Sequence, residues 1–427
     1  MKIVVIGLGY IGLPTAVMFA NNEQDVIGVD IKEDVIQTLN EGHVHLEEPG
    51  LEAELQKAIR AGRFKAQTQV EMADAFIIAV PTPNKNDDYK SCDLTYVIDG
   101  LKSILPFLEK GNTVIVESTI APRTIEDVVK PFIEEAGFII GEDIFLVHCP
   151  ERVLPGKILH ELKYNDRIIG GVTNFCTDSG INIYSFFVKG ELIAASASIA
   201  ELSKLMENTY RDVNIALANE LVKIGDDLNI DALEVIEMAN KHPRVNIHSP
   251  GPGVGGHCLA VDPYFIVAST PETTPLIQTA RAINTSMPDF VFDKTKELMA
   301  NIHGGKITIL GVTYKGNVDD IRESPALEIV NKLIEDGTYK ISIFDPHVDR
   351  DWIEKDFKEA TNDSDLLLVL SDHNEFKTIV EEDLSGMRQL YVFDTKNVFP
   401  SELKVEKYTS LGSVAWLNEG QRVSSLQ

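Results

Sequence analysis

The string Gly7-Leu8-Gly9-Tyr10-Ile11-Gly12 constrains this chain more than any other. It follows Lys2 to Ile6, which reads as a short apolar strand, and precedes Leu13 to Asn21, which reads as a helix. Val26 to Asp30 then reads as a second strand, so residues 2–30 form one βαβ unit. Alone, such a glycine triplet says little. In this setting each glycine has a physical task. Gly7 permits a tight turn, Gly9 lets backbone approach a pyrophosphate, and Gly12 lets helix and strand pack closely. The helix N-terminus offers N–H donors and positive potential to phosphates. Asp30 lies 18 residues beyond Gly12, placed to accept from ribose hydroxyls and to repel a 2′-phosphate, which favours NAD over NADP. The competing reading is a glycine turn in a ligand-free α/β protein.

The same alternation continues downstream. Strand-like runs recur at Ala75 to Val80, Thr113 to Glu117, Ile144 to His148 and Ile168 to Gly171, with amphipathic stretches such as Leu51 to Ala61 and Ile125 to Ala136 between them. Strands alternating with helices predict a doubly wound parallel sheet. Near residue 195 the character changes. From Ile199 to about Asn240 the pattern is helical, with Leu202, Leu205, Met206, Val213, Leu217, Leu221 and Ile224 on a 3.6-residue period and no break before Gly225. So long a helix suits a spine between domains and a dimer surface. A Pro/Gly-rich stretch, Ser249 to Gly256, is followed by a helical pattern from Thr274 to Asn301. Alternation restarts at Lys306 to Leu310, Ser324 to Asp336, Lys340 to Phe344, Leu366 to Leu370 and Tyr391 to Phe393. Beyond Pro400 there is little periodicity and no legible role. The fold predicted is α/β: two Rossmann-like doubly wound parallel-sheet domains joined by a long central helix and a helical domain. The domain limits predicted are 1–195, 196–300 and 301–427, in line with two to three domains at about 150 residues each.

Composition narrows the partners. The chain carries 39 Lys+Arg against 66 Asp+Glu, a net charge of -27. This argues against nucleic acid or an anionic membrane as a partner and requires any anionic substrate to find a local basic pocket. No run approaches the roughly 18 apolar residues of a membrane span, and the N-terminus carries no signal-peptide pattern. The four cysteines, Cys92, Cys149, Cys176 and Cys258, form no CxxC pair, which argues against a disulfide framework or a bound metal. The expected compartment is a reducing cytoplasm, in which one cysteine is available for chemistry.

Four further motifs are candidates. Val80-Pro81-Thr82-Pro83 and Glu117-Ser118-Thr119 sit where strands end, the place where open α/β sheets bind ligands, so Thr82 and Thr119 are candidates for the nicotinamide side. Lys204, Asn208 and Arg211 share one helical stripe, although such a stripe is commonly just a solvated face. Pro250-Gly251-Pro252-Gly253-Val254-Gly255-Gly256-His257-Cys258 places four glycines in six positions before a cysteine, with Asp262 four residues on. Its bare backbone can approach an anion or flat ring, and a cysteine there is more accessible than a core thiol. Gly311-Val312-Thr313-Tyr314-Lys315, with Arg322, follows the first strand of the second α/β domain and would complement a phosphate.

Together, in order, these motifs resemble those of the UDP-glucose/GDP-mannose dehydrogenase family, over most of the chain: G-L-G-Y-I-G, V-P-T-P, E-S-T, P-E-R, the Lys204/Asn208 helix, G-P-G-V-G-G-H-C-L-A-V-D and G-V-T-Y-K…D-D-I-R-E-S-P. Cys149-Pro150-Glu151-Arg152-Val153-Leu154-Pro155-Gly156 and His242-Pro243-Arg244-Val245-Asn246 look like the branch acting on UDP-N-acetyl-D-mannosamine. The resemblance implies a four-electron oxidation of a primary alcohol to a carboxylate with two NAD, through a thiohemiacetal and a thioester on Cys258. It implies acid/base or oxyanion work for Lys204, with help from Asn208, Asp262 and Glu151. It implies NAD contacts from Gly7, Gly9, Tyr10, Ile11, Gly12, Asp30, Thr82, Thr119 and Arg322. It implies sugar-nucleotide contacts from Arg152, Val153, Lys204, Asn208, Arg211, His242, Arg244, Gly255, Tyr314 and Lys315. It also implies a homodimer built on the long helix and a role in surface polysaccharide synthesis. UDP-N-acetylglucosamine and UDP-glucose remain alternative substrates. A two-electron hydroxyacid dehydrogenase or a non-catalytic NAD-binding regulator are the readings of another class.

Overall fold

The computed structural model describes residues 1–412. These form two compact units: Met1–Glu207 with Tyr264–Pro271, and the remaining described residues, Asn208–Pro263 and from Glu272 onward. The first unit contains β1 (Lys2–Ile6), β2 (Asp25–Val29), β3 (Phe64–Gln67), β4 (Ala75–Ile78), β5 (Thr113–Val116), β6 (Phe145–His148), β7 (Arg167–Gly171) and β8 (Leu192–Ser196). They make one sheet in the order β3-β2-β1-β4-β5-β6-β7-β8. The inner strands β1, β4 and β5 are almost wholly buried, as a parallel sheet covered on both faces requires. That is why they read as apolar runs in the sequence. β3 does not read so, because it is an edge strand with one polar face. β8, the other edge, is Leu-Ile-Ala-Ala-Ser, an apolar run that is largely not buried and runs straight into the long helix. One pair departs from the predicted parallel sheet: β6 and β7 run antiparallel through Val147↔Gly171 and His148↔Gly170. Strand direction leaves no trace in hydrophobic period.

The second unit holds β9 (Lys306–Leu310), β10 (Lys340–Phe344), β11 (Leu366–Val369), β12 (Tyr391–Asp394) and β13 (Lys407–Ser410). Their order is β10-β9-β11-β12-β13, parallel throughout. β13 falls in the stretch that carries little periodicity. Its buried residues include Thr409 and Ser410, so burial there is not announced by apolar side chains. The C-terminal tail from 413, to which the sequence assigns no role, lies outside the described residues.

Both sheets open with the same device. The N–H of Gly7 donates to Val29 O at 2.8 Å, and that of Gly311 donates to Phe344 O at 2.9 Å. The next N–H, of Leu8 or Val312, donates to an aspartate at the end of the second strand, Asp30 at 3.0 Å or Asp345 at 2.8 Å. Each aspartate also accepts an N–H two residues on, from Lys32 or His347. Gly311-Val312 therefore repeats Gly7-Leu8 in structure, but the likeness stops there: Gly12 opens a helix, whereas a Cβ on Gly316 would meet Asp372 O and the next helix begins only at Pro325. Thr313, at the position of Gly9, is 1% exposed, and with no helix opening directly after it the second turn lacks the helix N-terminus that the first offers a pyrophosphate.

A 32-residue helix, Ala197–Leu228, begins in the first unit and runs into the second. Gly225 does not break it. The helix continues to Leu228 and ends at Asn229, whose φ is 57°. Gly225 instead lets the chain turn back over the helix, since a Cβ there would lie 2.6 Å from Ile230 O. Asp231 then caps Ala232–Asn240 by accepting from the N–H groups of Leu233 and Glu234. The apolar residues of the long helix divide: Leu205 is buried, while Leu202, Met206, Leu217 and Ile224 are exposed. The pattern predicted between Thr274 and Asn301 is two helices, Pro275–Thr285 and Met287–Leu298. Pro288 lacks the N–H that would carry one helix through.

Candidate active site

In the first unit the cofactor turn is open where it must be. A Cβ at Gly9 would meet nothing within 4 Å, whereas one at Gly12 would lie 1.9 Å from Gly7 O. No side chain caps the helix Gly12–Ala20, which leaves its N-terminus to a ligand. The Asp30 carboxylate at the end of β2 accepts from Leu8 and Lys32 and retains lone pairs for ribose hydroxyls. These features fit NAD. Tyr10 is exposed and Ile11 half-buried beside the turn. At the ends of β4 and β5, the Thr82 hydroxyl donates to Thr119 O at 2.6 Å, which joins the two loops singled out there.

Next to them lies a buried ionic cluster. Arg167, first residue of β7, contacts Glu117 at 3.0 Å and also pairs with Glu151. Its guanidinium stacks 4.6 Å from the centre of the Tyr184 ring, and the Tyr184 hydroxyl donates to Glu117 at 3.1 Å. Burial pushes Glu117 up to about 7 against the pull of Arg167. Glu151 also accepts from the N–H of Arg152. Sequence reasoning missed Arg167 and Tyr184. The available signal was a charge opening an apolar strand, since a buried charge needs a partner. The guanidinium of Arg152 is held by Glu207 at 2.6 Å and by Asp166 O, and Val153 is half-buried beside it. Lys204 is 5% exposed, so its stripe is buried at that end, half-buried at Asn208 and solvated at Arg211. Burial pushes the nearby His148 down to about 3, with the charge of Lys204 adding to it against a hydrogen bond to Val116 O.

In the second unit, Asn208 donates to Asp262 at 2.6 Å. Asp262 is buried and opens the helix Asp262–Ser269, its N–H bonded to Cys258 O at 2.8 Å. Cys258 is the exposed cysteine; Cys92, Cys149 and Cys176 are buried. Burial pushes the Cys149 thiol up to about 12, which leaves it unreactive. The glycine loop before Cys258 packs against the turn after β9. Gly256 has φ +83°, and a Cβ on it would lie 2.7 Å from the Tyr314 ring; one on Gly255 would lie 2.3 Å from Glu323 O. His257 contacts Asp320 at 3.0 Å, and Asp320 also holds Arg322 through Nε and Nη2 at 2.9 Å each. Arg322, expected at NAD, is thus tied to the residue next to the thiol. Lys315 is half-buried, and its carbonyl accepts from the Thr313 hydroxyl. Arg211, His242 and Arg244 are exposed.

His347, His373 and Glu375 bring ligand-type atoms within 4.8 Å of one another. His373 Nδ1 accepts from the Asn317 N–H, so the ring proton sits on Nε2, facing Asp345 at 3.1 Å. That nitrogen then has no lone pair for a metal, and His373 instead supports the turn carrying Tyr314 and Lys315 through Asn317 and the Thr313 hydroxyl.

Fold, open glycine turn and ribose-side aspartate together define an NAD-dependent dehydrogenase. Residues 1–188 match the NAD binding domain of the UDP-glucose/GDP-mannose dehydrogenase family, residues 198–286 its central domain and residues 308–401 its UDP binding domain. The chain therefore belongs to the UDP-glucose/GDP-mannose dehydrogenase family and is an NAD-dependent nucleotide-sugar dehydrogenase. A UDP-N-acetyl-D-mannosamine dehydrogenase of Methanocaldococcus jannaschii is 48% identical over 409 residues, 94% of this chain and 93% of that protein. The structure of the UDP-N-acetyl-mannosamine dehydrogenase from Staphylococcus aureus is 56% identical, with a TM-score of 0.90, covering 96% of this chain and 98% of that one. An NDP-N-acetyl-D-galactosaminuronic acid dehydrogenase of Ralstonia solanacearum is 41% identical over 411 residues, 93% of this chain and 96% of that protein. Among the described residues no helix is long and apolar enough to cross a membrane.

Proposed function

We propose that this enzyme oxidises UDP-N-acetyl-D-mannosamine to UDP-N-acetyl-D-mannosaminuronate in the cytoplasm, for surface polysaccharide synthesis. The observation that carries the reading is Cys258, the exposed cysteine at the end of a glycine loop. NAD, when bound, accepts a hydride in each oxidation. Lys204 takes the proton of the primary alcohol as its carbon loses the first hydride, leaving an aldehyde. Cys258 adds its sulfur to that carbonyl carbon, and the thiol proton ends on the oxygen: a thiohemiacetal. Loss of the second hydride and of that hydroxyl proton leaves a thioester. Water then adds, the C–S bond breaks, and carboxylate and thiol separate. Asn208, oriented by Asp262, and Lys204 stabilise the oxyanions, and Glu151 assists hydrolysis. Arg152, Val153, Arg211, His242, Arg244, Gly255, Tyr314 and Lys315 hold the sugar nucleotide, and Arg322 reaches toward NAD. The exposed apolar row Leu202, Met206, Leu217 and Ile224 supports a homodimer through the long helix.

Purified enzyme with a panel of UDP-sugars tests this reading. Two NADH per acid formed, with UDP-N-acetyl-D-mannosamine preferred, is the expected result. One NADH per substrate would return the assignment to the two-electron dehydrogenases. The Ralstonia relative favours one second reading, an N-acetylgalactosamine nucleotide, which the same panel distinguishes. Cys258→Ala should bind substrate and NAD yet form no acid.

A further inference from the structure

Both ends of the Cys258 loop are fastened to one buried polar chain. Asp212 on the long helix is fully buried and pairs with Arg281 at 2.6 Å. As a carboxylate it only accepts, so it fixes the orientation of what surrounds it. Asn284 turns its amide nitrogen toward Asp212, donating to the carboxylate at 2.8 Å and to the backbone carbonyl at 3.0 Å. The carbonyl oxygen of Asn284 then faces the other way and accepts from Asn219 Nδ2 at 2.9 Å. Asn219 is left with its own oxygen directed at the loop, where it accepts from the N–H of Gly251 at 2.9 Å. At the far end, Arg281 Nη1 reaches Leu259 O, the residue after Cys258, at 3.4 Å. Asn219 and Asn284 are as buried as Asp212, and Arg281 nearly so.

We propose that Asp212, Arg281, Asn284 and Asn219 are positioning residues that set where the Cys258 sulfur stands, by pinning the loop at Gly251 and at Leu259. Two features separate this from a merely stabilising network. The chain of hydrogen bonds ends on the loop in both directions, accepting from Gly251 and donating to Leu259. And the segment between the pins is rich in glycine, so it has little shape of its own. A small misplacement of a reacting group is costly in rate, and the sulfur is used only in the second half of the reaction. The clamp therefore acts on aldehyde capture; since Gly255 lies between the same pins, the KM for the sugar nucleotide shifts with it, while at saturating substrate the first hydride transfer is left alone.

The proposal rests on Cys258 being the nucleophile, and the experiment separates the two. Asn219→Ala removes the pin at Gly251. Arg281→Lys keeps the charge beside Asp212 but cannot span to Leu259 O. With full-length enzyme, UDP-N-acetyl-D-mannosamine and semicarbazide as aldehyde trap, each variant should release trapped aldehyde. Acid formation per active site should fall about tenfold or more, at an unchanged KM for NAD and an unchanged rate of first hydride transfer. The rate of Cys258 alkylation by iodoacetamide, per folded molecule by circular dichroism, should change as well. Equal loss of both hydride transfers, or parental acid formation and alkylation in a folded variant, overturns the clamp. If Asn219→Ala does not fold, Arg281→Lys decides alone. Acid formation at the parental rate by Cys258→Ala would instead overturn the thiol mechanism itself.

Discussion

Asp30 serves the turn as well as the ligand proposed for it, so its replacement has two separable consequences. Losing the acceptor for the Leu8 and Lys32 N–H groups weakens the turn and lowers affinity for either cofactor. Losing the charge removes repulsion of a 2′-phosphate. Asp30→Ala should thus bind NAD more weakly while its NADP/NAD preference ratio rises about tenfold or more. The ratio, from kcat/KM for the two cofactors, is indifferent to the first effect; an unchanged ratio would remove the ribose role. Glu201 gives a prediction in pH. Its carboxylate accepts from the N–H groups of Arg123 at 2.6 Å and Ile125 at 2.8 Å, yet burial pushes it up to about 7. A carboxyl raised on folding binds its proton more tightly in the native state. Its contribution is complete below 4.5 and is lost as pH rises to about 7. At most about 3 kcal/mol is at stake. Urea melts of Glu201→Gln between pH 5 and 7.5 should start from lower stability at the acid end and fall less steeply than the parent. An equal slope would remove the assignment.

Gly225 shows why an element cannot be judged by propensity alone. In an exposed helix, Gly→Ala gains about 1 kcal/mol. Here the added methyl would meet Ile230 O at 2.6 Å, so Gly225→Ala should lower the denaturation midpoint instead of raising it. A raised midpoint would show that the turn after Leu228 gives way. The same contrast governs what was legible. Strands buried on both faces, such as β1 and β9, are apolar runs, legible in the sequence with their limits. The edge strands β3 and β13 alternate or carry Thr and Ser, so the local pattern does not mark them; β8 is apolar but short and continuous with the long helix, so it merges into the helical pattern. The turn after β9 reads as a phosphate site on its basic residues, Lys315 and Arg322. That its first two residues repeat the start of the first glycine turn depends on Asp345 holding Val312 as Asp30 holds Leu8, a contact between distant residues.

At the scale of the whole molecule the exposed apolar row on the long helix is the feature a monomer would least keep. Leu217→Glu with Ile224→Glu should move the sedimenting species from dimer to monomer at micromolar concentration, because two charges facing their copies across a two-fold interface are desolvated and unpaired. A parent that is already monomeric would end the dimer proposal. The sequence by itself determined the family, the α/β alternation, the cofactor turn and the candidate residues, because each depends on residue types at short spacing: glycine where backbone must approach, apolar runs where a sheet is covered. Only the tertiary structure decided which of those residues are spoken for. Arg152 is engaged by Glu207, Arg322 by Asp320, and Glu151 by an unsuspected Arg167. The Arg322 pair is local, two residues apart, but Arg152 with Glu207 and Glu151 with Arg167 join separate stretches of the chain, and the long-range geometry that brings such partners together is not written in any local pattern.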